Sequence, residues 1–243
     1  MFPYIYQSNS LQIGSYGLML AIAYLVGRWF YLVQLEKQQP PLKNTEALII
    51  LLLVFGVMGA KLMFIIKNPE QSHLLLNGMG FSSQGAILGA MLATWLFAKL
   101  NDVGLYLLLD AAAPAAILAY ALARVGCFLS GDDCYGIATN LPWGMSFPDG
   151  ISPTNTKVHP VPLYEIIYSL LIFIYLVKNQ YKKLIPYQQF FTLLGLWGLS
   201  RFLVEFVSSN PKIVGFMSGS QFGAFLMFIS ALVFFGLNWK KVK

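Results

Sequence analysis

The chain has 243 residues, of which 57% are hydrophobic and only 11% charged, and its formal net charge is +6 at pH 7. A soluble globular domain carries about 25% charged residues, so this composition excludes that class and indicates an integral membrane protein. Most of the lysines and arginines lie in short connections between apolar stretches, so the positive charge needs no nucleic-acid partner to explain it.

Seven apolar stretches follow one another along the chain, each close to the roughly 20 residues that a helix needs to cross a bilayer. The predicted spans are residues 16–33, 47–66, 82–100, 103–129, 161–177, 188–207 and 222–239. The longest connection, Ser130 to Pro160, has only about thirty residues. We therefore predict an all-α polytopic membrane protein with about seven transmembrane helices, folded as a single integral membrane domain over residues 1–243.

The lysines predict the orientation of these helices, because positive residues mark cytoplasmic loops. With the N-terminus outside, nine lysines fall in the inside loops and the C-terminal tail, and three fall in the outside loops. The sequence therefore predicts an outside N-terminus and a cytoplasmic C-terminus.

Small residues recur in the second and third spans, as GVMGA from Gly56 and GAILGA from Gly85. In lipid, such residues let two helices pack closely. A phosphate-cradling loop would need a soluble strand-to-helix context that this chain does not offer. We therefore expect these glycines to serve helix packing.

Charged side chains inside the spans are costly in lipid, so each marks a functional site or half of a buried pair. At about 1.5 Å per residue, Arg124 and Arg201 come late in helices that rise outward, whereas Glu165 comes early in a helix that descends. Six polar residues from distant parts of the chain are thus expected at one level in the outer half of the membrane. They are Tyr16, Gln84, Arg124, Glu165, Arg201 and Glu205.

Two arginines from different helices at one depth favour a phosphate site, because a planar guanidinium grips phosphate with paired hydrogen bonds. For Arg201 and Glu205, which are four residues apart on one helix face, the alternative is an ion pair that only fixes helix packing. The anion available at this depth is a phospholipid headgroup. The residues alone therefore favour a headgroup site.

Several short motifs occur in a fixed order along most of the chain. DAAAP and ARVGCF, which contains Arg124, are followed by LPWGMSFP, HPVPLYE and GLSRFLVEF, and GAKL and SQGAILG precede them. The set resembles the ADFIAP, GR-x-GNF, LPWG-x-x-FP, HP-x-QLYE, GL-x-RF-x-EF, GGR-x and FHGGLIG elements of the prolipoprotein diacylglyceryl transferase family. Any one of these matches is weak, but together they are specific.

The resemblance implies an enzyme that transfers the diacylglyceryl group of phosphatidylglycerol, or of a related anionic phospholipid, to the thiol of a lipobox cysteine in a lipoprotein precursor. It implies a place in the bacterial plasma (inner) membrane, with the reaction on the outer-leaflet side, and no cofactor or metal. Two alternatives stay open. One is a lipid-group transferase with another acceptor, and the other is a phospholipid-binding membrane protein without catalysis.

The resemblance also suggests roles for individual residues. Arg124 and Arg201 would stabilise the charge on the departing phosphate, and Glu205 would orient Arg201. The positions expected to bind substrate are Tyr16, which matches a family tyrosine near the headgroup, together with Lys61, Cys127, Gly136, Tyr164, Glu165 and Glu205.

Three features depart from the family pattern. Gln84 stands where the family has a histidine that is a favoured general base, and an amide cannot accept a proton at physiological pH. Cys127 stands where the family has asparagine. Between Gly126 and Gly136 the chain has one residue more than the usual spacing.

That longer segment contains Asp132 and Asp133, where one glutamate is expected. With either aspartate, His159 is a candidate base, since histidine titrates near neutral pH. The alternatives are that His159 caps and orients its loop beside a proline, and that the aspartates are solvated or cap backbone groups.

Cys127 and Cys134 leave three interpretations open. A disulfide would staple the loop in an oxidising compartment, and free cysteines would be small packed residues. A metal site is the least favoured, because two cysteines seven residues apart do not form a recognisable zinc pattern.

Overall fold

A computed structural model describes residues 1–8, 12–37, 42–70, 80–180 and 185–242 of the chain, without the side chains of residues 83, 213, 214 and 242. Helices dominate this part of the protein. Their bounds are α1 Ser15–Glu36, α2 Thr45–Lys67, α3 Ser83–Leu100, α4 Leu105–Ser130, α5 Val161–Asn179, α6 Gln188–Val204, α7 Gly219–Leu237 and α8 Trp239–Val242.

Six of the described helices are long and apolar enough to cross a membrane, namely α1, α2, α4, α5, α6 with the short turn that follows it, and α7. The stretch predicted as the third span forms α3, a shorter apolar helix. The prediction of an all-α polytopic membrane protein is confirmed, and each predicted span coincides with a helix. The orientation of the termini and the single membrane domain stay predictions.

Local sequence explains several helix ends. Helix α5 starts directly after Pro160 and has Pro162 in its first turn, where a missing N–H does no harm. Ser218 caps α7, because its side chain accepts a hydrogen bond from the Gln221 backbone N–H at 3.0 Å. Helix α6 ends at Val204 and tightens into a 3₁₀ turn over Glu205–Val207.

The described residues form three two-stranded antiparallel sheets, one before α1 and two in connections between helices. They pair β1 Tyr4–Gln7 with β2 Gln12–Gly14, β3 Met145–Phe147 with β4 Thr154–Val158, and β5 Lys212–Val214 with β6 Met217–Ser218. In the second sheet Met145 is opposite Val158 and Phe147 is opposite Thr154, so the register shifts between the two pairs. The sequence analysis did not predict these hairpins.

The chain divides into two compact units. The first comprises Met1–Tyr31 and Ala112–Lys243. Its core contains the buried residues Ala113, Ile117, Ile172, Leu176 and Leu193, with Tyr120, Tyr168, Phe173 and Trp197 packed against them. These side chains come from α4, α5 and α6, and one of them, Tyr120, hydrogen bonds to Glu165.

The second unit comprises Leu32–Ala111 and contains α2 packed against α3. Glycines allow the backbones of α2 and α3 to approach each other closely. A Cβ added to Gly59 would lie 3.2 Å from the Gly89 Cα, and a Cβ added to Gly85 would overlap the Gly59 carbonyl. The expected packing role of these small residues is therefore confirmed.

Candidate active site

Glu165 lies at the centre of a buried polar cluster in the first unit. Its side chain has no exposed surface and comes from the first turns of α5. Oε2 lies 2.6 Å from Arg124 Nε, and Oε1 accepts a hydrogen bond from Arg201 Nη1. Arg124, Glu165 and Arg201 therefore meet at one level, as the depth argument predicted, whereas their roles stay predictions.

Arg201 also contacts a second carboxylate. Its Nη2 lies 2.7 Å from Oε2 of Glu205, which is likewise buried. Glu205 Oε1 accepts hydrogen bonds from Ser218 Oγ at 2.6 Å and Asn210 Nδ2 at 2.7 Å. These partners fix the carboxylate and, through it, one edge of the Arg201 guanidinium.

Tyr120 completes the cluster on α4. Its hydroxyl donates to Glu165 Oε1 at 2.9 Å, and its ring lies below Arg124, with 4.9 Å from the guanidinium carbon to the ring centre. Sequence reasoning missed Tyr120, Ser218 and Asn210. For Tyr120 the available signal was its position four residues before Arg124, on the same helix face. An aromatic residue in an apolar span is, however, usually interpreted as a packing residue.

The two cysteines lie on the other side of Arg124. Cys127 is buried in the last turn of α4, and Cys134 is half-buried in the following loop. Arg124 Nη1 lies 3.6 Å from the Cys127 sulfur and 3.7 Å from the Cys134 sulfur. Both cysteines are free, and a carboxylate oxygen of Asp132 lies within 4.8 Å of both sulfurs.

The environment of the loop cysteine disfavours its ionised form. The pKa of Cys134 is raised above the ordinary thiol value, first because its thiol hydrogen bonds with Cys127 and then because burial opposes a charged sulfur. The charge of Asp132 acts in the same direction. These surroundings therefore favour the neutral thiol of Cys134 over the thiolate.

Gly136 closes this loop where three chain segments meet. Its N–H donates to the His159 carbonyl at 2.8 Å, and it forms an isolated β-bridge with Ser208. A Cβ added here would overlap the Val207 carbonyl and lie 2.9 Å from the His159 Cβ. The site thus requires glycine at this position, which explains the residue type at the end of the loop motif.

His159 and Tyr164 belong to a second polar group at the start of α5. The Trp143 indole donates to the Tyr164 hydroxyl oxygen at 2.9 Å, and that oxygen lies 3.2 Å from His159 Nδ1. Asp133, in contrast, is exposed. The pairing of His159 with Asp132 or Asp133 stays a prediction, since the ring contact that the structure describes is with Tyr164.

Tyr16 lies in the first turn of α1 beside α4. A Cβ added to Gly126 would be 3.3 Å from the Tyr16 Cα and 3.4 Å from a ring carbon. The exposed fraction of the Tyr16 surface is 41%. It therefore lies against the part of α4 that carries Arg124 and Cys127.

Gln84 and Lys61 belong to the second unit. Gln84 accepts a hydrogen bond from Lys67 through Oε1. Lys61 is buried, with its Nζ 4.2 Å from the centre of the Phe81 ring. The predicted involvement of Gln84 and Lys61 in the site stays a prediction.

An apolar groove adjoins the charged cluster in the first unit. One part, of about 320 Å³, is lined by Tyr164, Ile167, Tyr168, Leu171, Ser200, Leu203 and Val204. A second part, of about 660 Å³, is lined by Pro142, Trp143, Gly144, Met145, Pro160, Leu163, Tyr164 and Ile167. The two parts share two residues, and their walls include the immediate sequence neighbours of Glu165 and Arg201. A charged cluster beside an apolar groove suits a ligand with an anionic head and a hydrocarbon body.

Comparisons of the sequence with protein families and with individual proteins give the same family name. Residues 3–237 match the family described as prolipoprotein diacylglyceryl transferase. A Clostridium tetani protein named phosphatidylglycerol–prolipoprotein diacylglyceryl transferase is 30% identical over 98% of both chains. Proteins of the same name from Campylobacter jejuni and Geobacter sulfurreducens are 31% and 29% identical, over 96% and 95% of this chain and 92% of their own length.

Proposed function

Because the chain belongs to the prolipoprotein diacylglyceryl transferase family, we propose that it transfers the diacylglyceryl group of phosphatidylglycerol to the lipobox cysteine of a prolipoprotein. The reaction takes place on the outer-leaflet side of a bacterial plasma membrane. The observation that carries the proposal is the contact of Arg124 and Arg201, from two apolar helices, with one shared buried carboxylate, that of Glu165.

The transfer exchanges one bond for another. The cysteine sulfur forms a bond to a glycerol carbon of the lipid, and the bond from that carbon to the phosphate oxygen breaks. The phosphate leaves as glycerol phosphate, and the thiol proton passes to a base. The enzyme must hold the lipid in line with the sulfur and stabilise the growing negative charge on the leaving phosphate.

The two arginines are suited to that stabilisation. Their side chains are 20% and 14% exposed, so each keeps a surface that a phosphate can reach. Glu165 and Glu205 hold the guanidinium groups in place before substrate binds, which is the preorganisation that electrostatic catalysis requires. The two arginines and the two glutamates together carry no net charge, which lowers the cost of placing them in an apolar environment.

The apolar groove between α5 and α6 supports the same proposal. Its wall from Tyr164 to Leu171 is hydrocarbon and aromatic surface, and Ser200, the sequence neighbour of Arg201, also lines it. We assign it to the acyl chains of the lipid, whose headgroup then lies at Arg124 and Arg201. The extension lined by Trp143 and Met145 accommodates the acceptor or the remaining hydrocarbon.

For the proton, we place the acceptor at His159. Trp143 donates to the Tyr164 oxygen, so the Tyr164 hydroxyl is available to donate to His159 Nδ1. This chain of contacts connects Trp143, in the wall of the groove, to an imidazole nitrogen, which can accept a proton. It offers a route for the thiol proton that does not need the amide of Gln84.

The proposal is tested with purified protein in vesicles of phosphatidylglycerol, to which a lipobox peptide is added. We expect mass spectrometry to find diacylated peptide and glycerol phosphate. Arg124→Lys and Arg201→Lys should each lower the rate about 10²–10³-fold, because a point charge replaces a rigid pair of donors. Lys212→Ala removes an exposed cation elsewhere and should leave the rate within about twofold.

Two further variants separate the alternatives. His159→Gln should lower the rate, because an amide cannot accept the thiol proton, whereas Gln84→His should change it little. Product from Gln84→His but none from the parent would instead mean that the site has lost its base. Undiminished transfer by both arginine variants would contradict the proposal, as would vesicle binding without product from any variant.

A further inference from the structure

We propose that Cys127, Asp132 and Cys134 form a binding site for a divalent cation of the borderline-soft class, with Zn²⁺ as its type. Among the described residues these three form a group whose ligand atoms all lie within 4.8 Å of one another. Thiolate and carboxylate are ligands that zinc takes in proteins. Arg124 lies between this group and Glu165, since it contacts both cysteine sulfurs and the Glu165 carboxylate.

The distances suit a tetrahedral site after a small adjustment. With Zn–S bonds of about 2.3 Å, two sulfurs on one tetrahedral ion are about 3.8 Å apart. The ligand atoms lie at most 4.8 Å apart, so contraction onto an ion moves them by about 1 Å or less. Rotation of two cysteine side chains and one aspartate is enough for this movement.

Asp132 provides an independent indication that this group can bind a cation. Its Oδ1 is buried and has no hydrogen-bond partner in the described part of the chain. A buried carboxylate oxygen without a partner is costly, and a cation would satisfy it. Its neighbour Asp133 is exposed, so the chain places one of two adjacent carboxylates inside and leaves the other in solvent.

Binding of a divalent ion would displace the thiol protons of Cys127 and Cys134, because metal ligands bind deprotonated. Two thiolates and one carboxylate would then face the ion. Arg124 Nη1 already lies 3.6 and 3.7 Å from the two sulfurs. It is therefore placed to act as the outer partner that hydrogen bonds to metal-bound sulfur and tunes it.

A tight turn brings the three ligands together. Gly131 has a positive φ of 58°, and its N–H donates to the Cys127 carbonyl at 3.1 Å, which reverses the chain directly after α4. Asp132 and Cys134 thereby lie back against Cys127. The spacing of the two cysteines did not suggest zinc, because the third ligand is a carboxylate between them.

Three ligands from the protein leave a fourth position, which water fills in zinc sites of this type. Such a site differs from a closed structural one, since it can exchange its fourth ligand. Its ion would also join the last turn of α4 to the loop that follows, next to a guanidinium of the polar cluster.

The test is a Cd²⁺ titration of the full chain in detergent, after reduction and removal of metals. We expect one Cd²⁺ per chain, with the ultraviolet charge-transfer absorption of cadmium–thiolate bonds. Cys134→Ser should remove most of that absorption. Asp132→Asn should weaken binding at least tenfold, since loss of even an outer partner weakens metal sites about 10–100-fold. Asp133→Asn is the matched control and should bind like the parent.

Cys127→Ser gives a second route if Cys134→Ser does not fold, with circular dichroism as the check on folding. Absence of the thiolate band would overturn the proposal, and so would Cd²⁺ binding that Asp132→Asn and Asp133→Asn affect equally. Absence of free thiols in the unreduced, unfolded chain would assign the cysteines to a disulfide instead. The titration uses neither lipid nor peptide, so its result is independent of transfer activity.

Discussion

Glu165 is a single carboxylate that contacts two guanidinium groups and a phenol. Arg124 and Arg201 come from different helices, and the carboxylate between them has no exposed surface. Without it, two cations would face each other in a region of low dielectric constant, where their repulsion is strong. The stability of this part of the fold therefore depends on one negative charge.

Glu165→Gln tests that dependence, because it keeps the shape of the side chain and removes the charge. Breaking a buried ion pair costs about 3–5 kcal/mol, so we expect a clear fall in the Tm of the purified protein in detergent. Asp149→Asn removes an exposed carboxylate and should leave Tm unchanged within error. Equal Tm values for the two variants would show that Glu165 does not hold the arginines together.

At this scale, sequence reasoning found the charged members of the cluster and missed the neutral ones. Arg124, Glu165 and Arg201 stood out because charge is rare in apolar spans. Tyr120 and Ser218 did not, because a tyrosine or serine in a membrane protein has many ordinary roles. Their hydrogen bonds to Glu165 and Glu205 depend on packing between distant segments, which composition does not reveal.

The helices were predicted to within a few residues, whereas the hairpins were not. Hydropathy over about 20 residues is a strong signal, and the predicted fifth span, 161–177, compares with a helix over Val161–Asn179. Strands of two to five residues, such as β6 over Met217–Ser218, carry too little pattern to be recognised. The connections thus contain most of what the sequence could not predict.

The contact between α2 and α3 supplies a prediction at the scale of elements. Gly85→Ala adds a methyl group that overlaps the Gly59 carbonyl, so the helices must separate, at about 1–3 kcal/mol for overpacking. Gly236→Ala in α7 adds the same methyl group where nothing lies within 4 Å. We expect a lower Tm for the first variant and an equal or higher Tm for the second, since alanine favours helix.

A Gly85→Ala protein as stable as Gly236→Ala would contradict this account of the packing. It would mean that α2 and α3 are not in close contact in the membrane. Gly59→Ala approaches the same interface from α2 and should reproduce the loss of stability.

The whole molecule is predicted to have its N-terminus outside and its C-terminus in the cytoplasm. Fusions test this: a fluorescent protein that folds only in the cytoplasm and an alkaline phosphatase that is active only outside. Reporters fused after Trp239 should give fluorescence and no phosphatase activity. Reporters inserted in the turn at Asp149 should give phosphatase activity and no fluorescence. The opposite pattern would invert the topology and move the polar cluster to the cytoplasmic half of the membrane.

The loop after α4 is held at both ends, at Gly131 by the Cys127 carbonyl and at Gly136 by the His159 carbonyl. A change in length between two fixed points cannot spread into the neighbouring helices. A change in length between Gly131 and Gly136 would therefore be accommodated within the loop, beside Arg124. The surroundings of that arginine can thus change with this short loop, while the two backbone hydrogen bonds keep its ends in place.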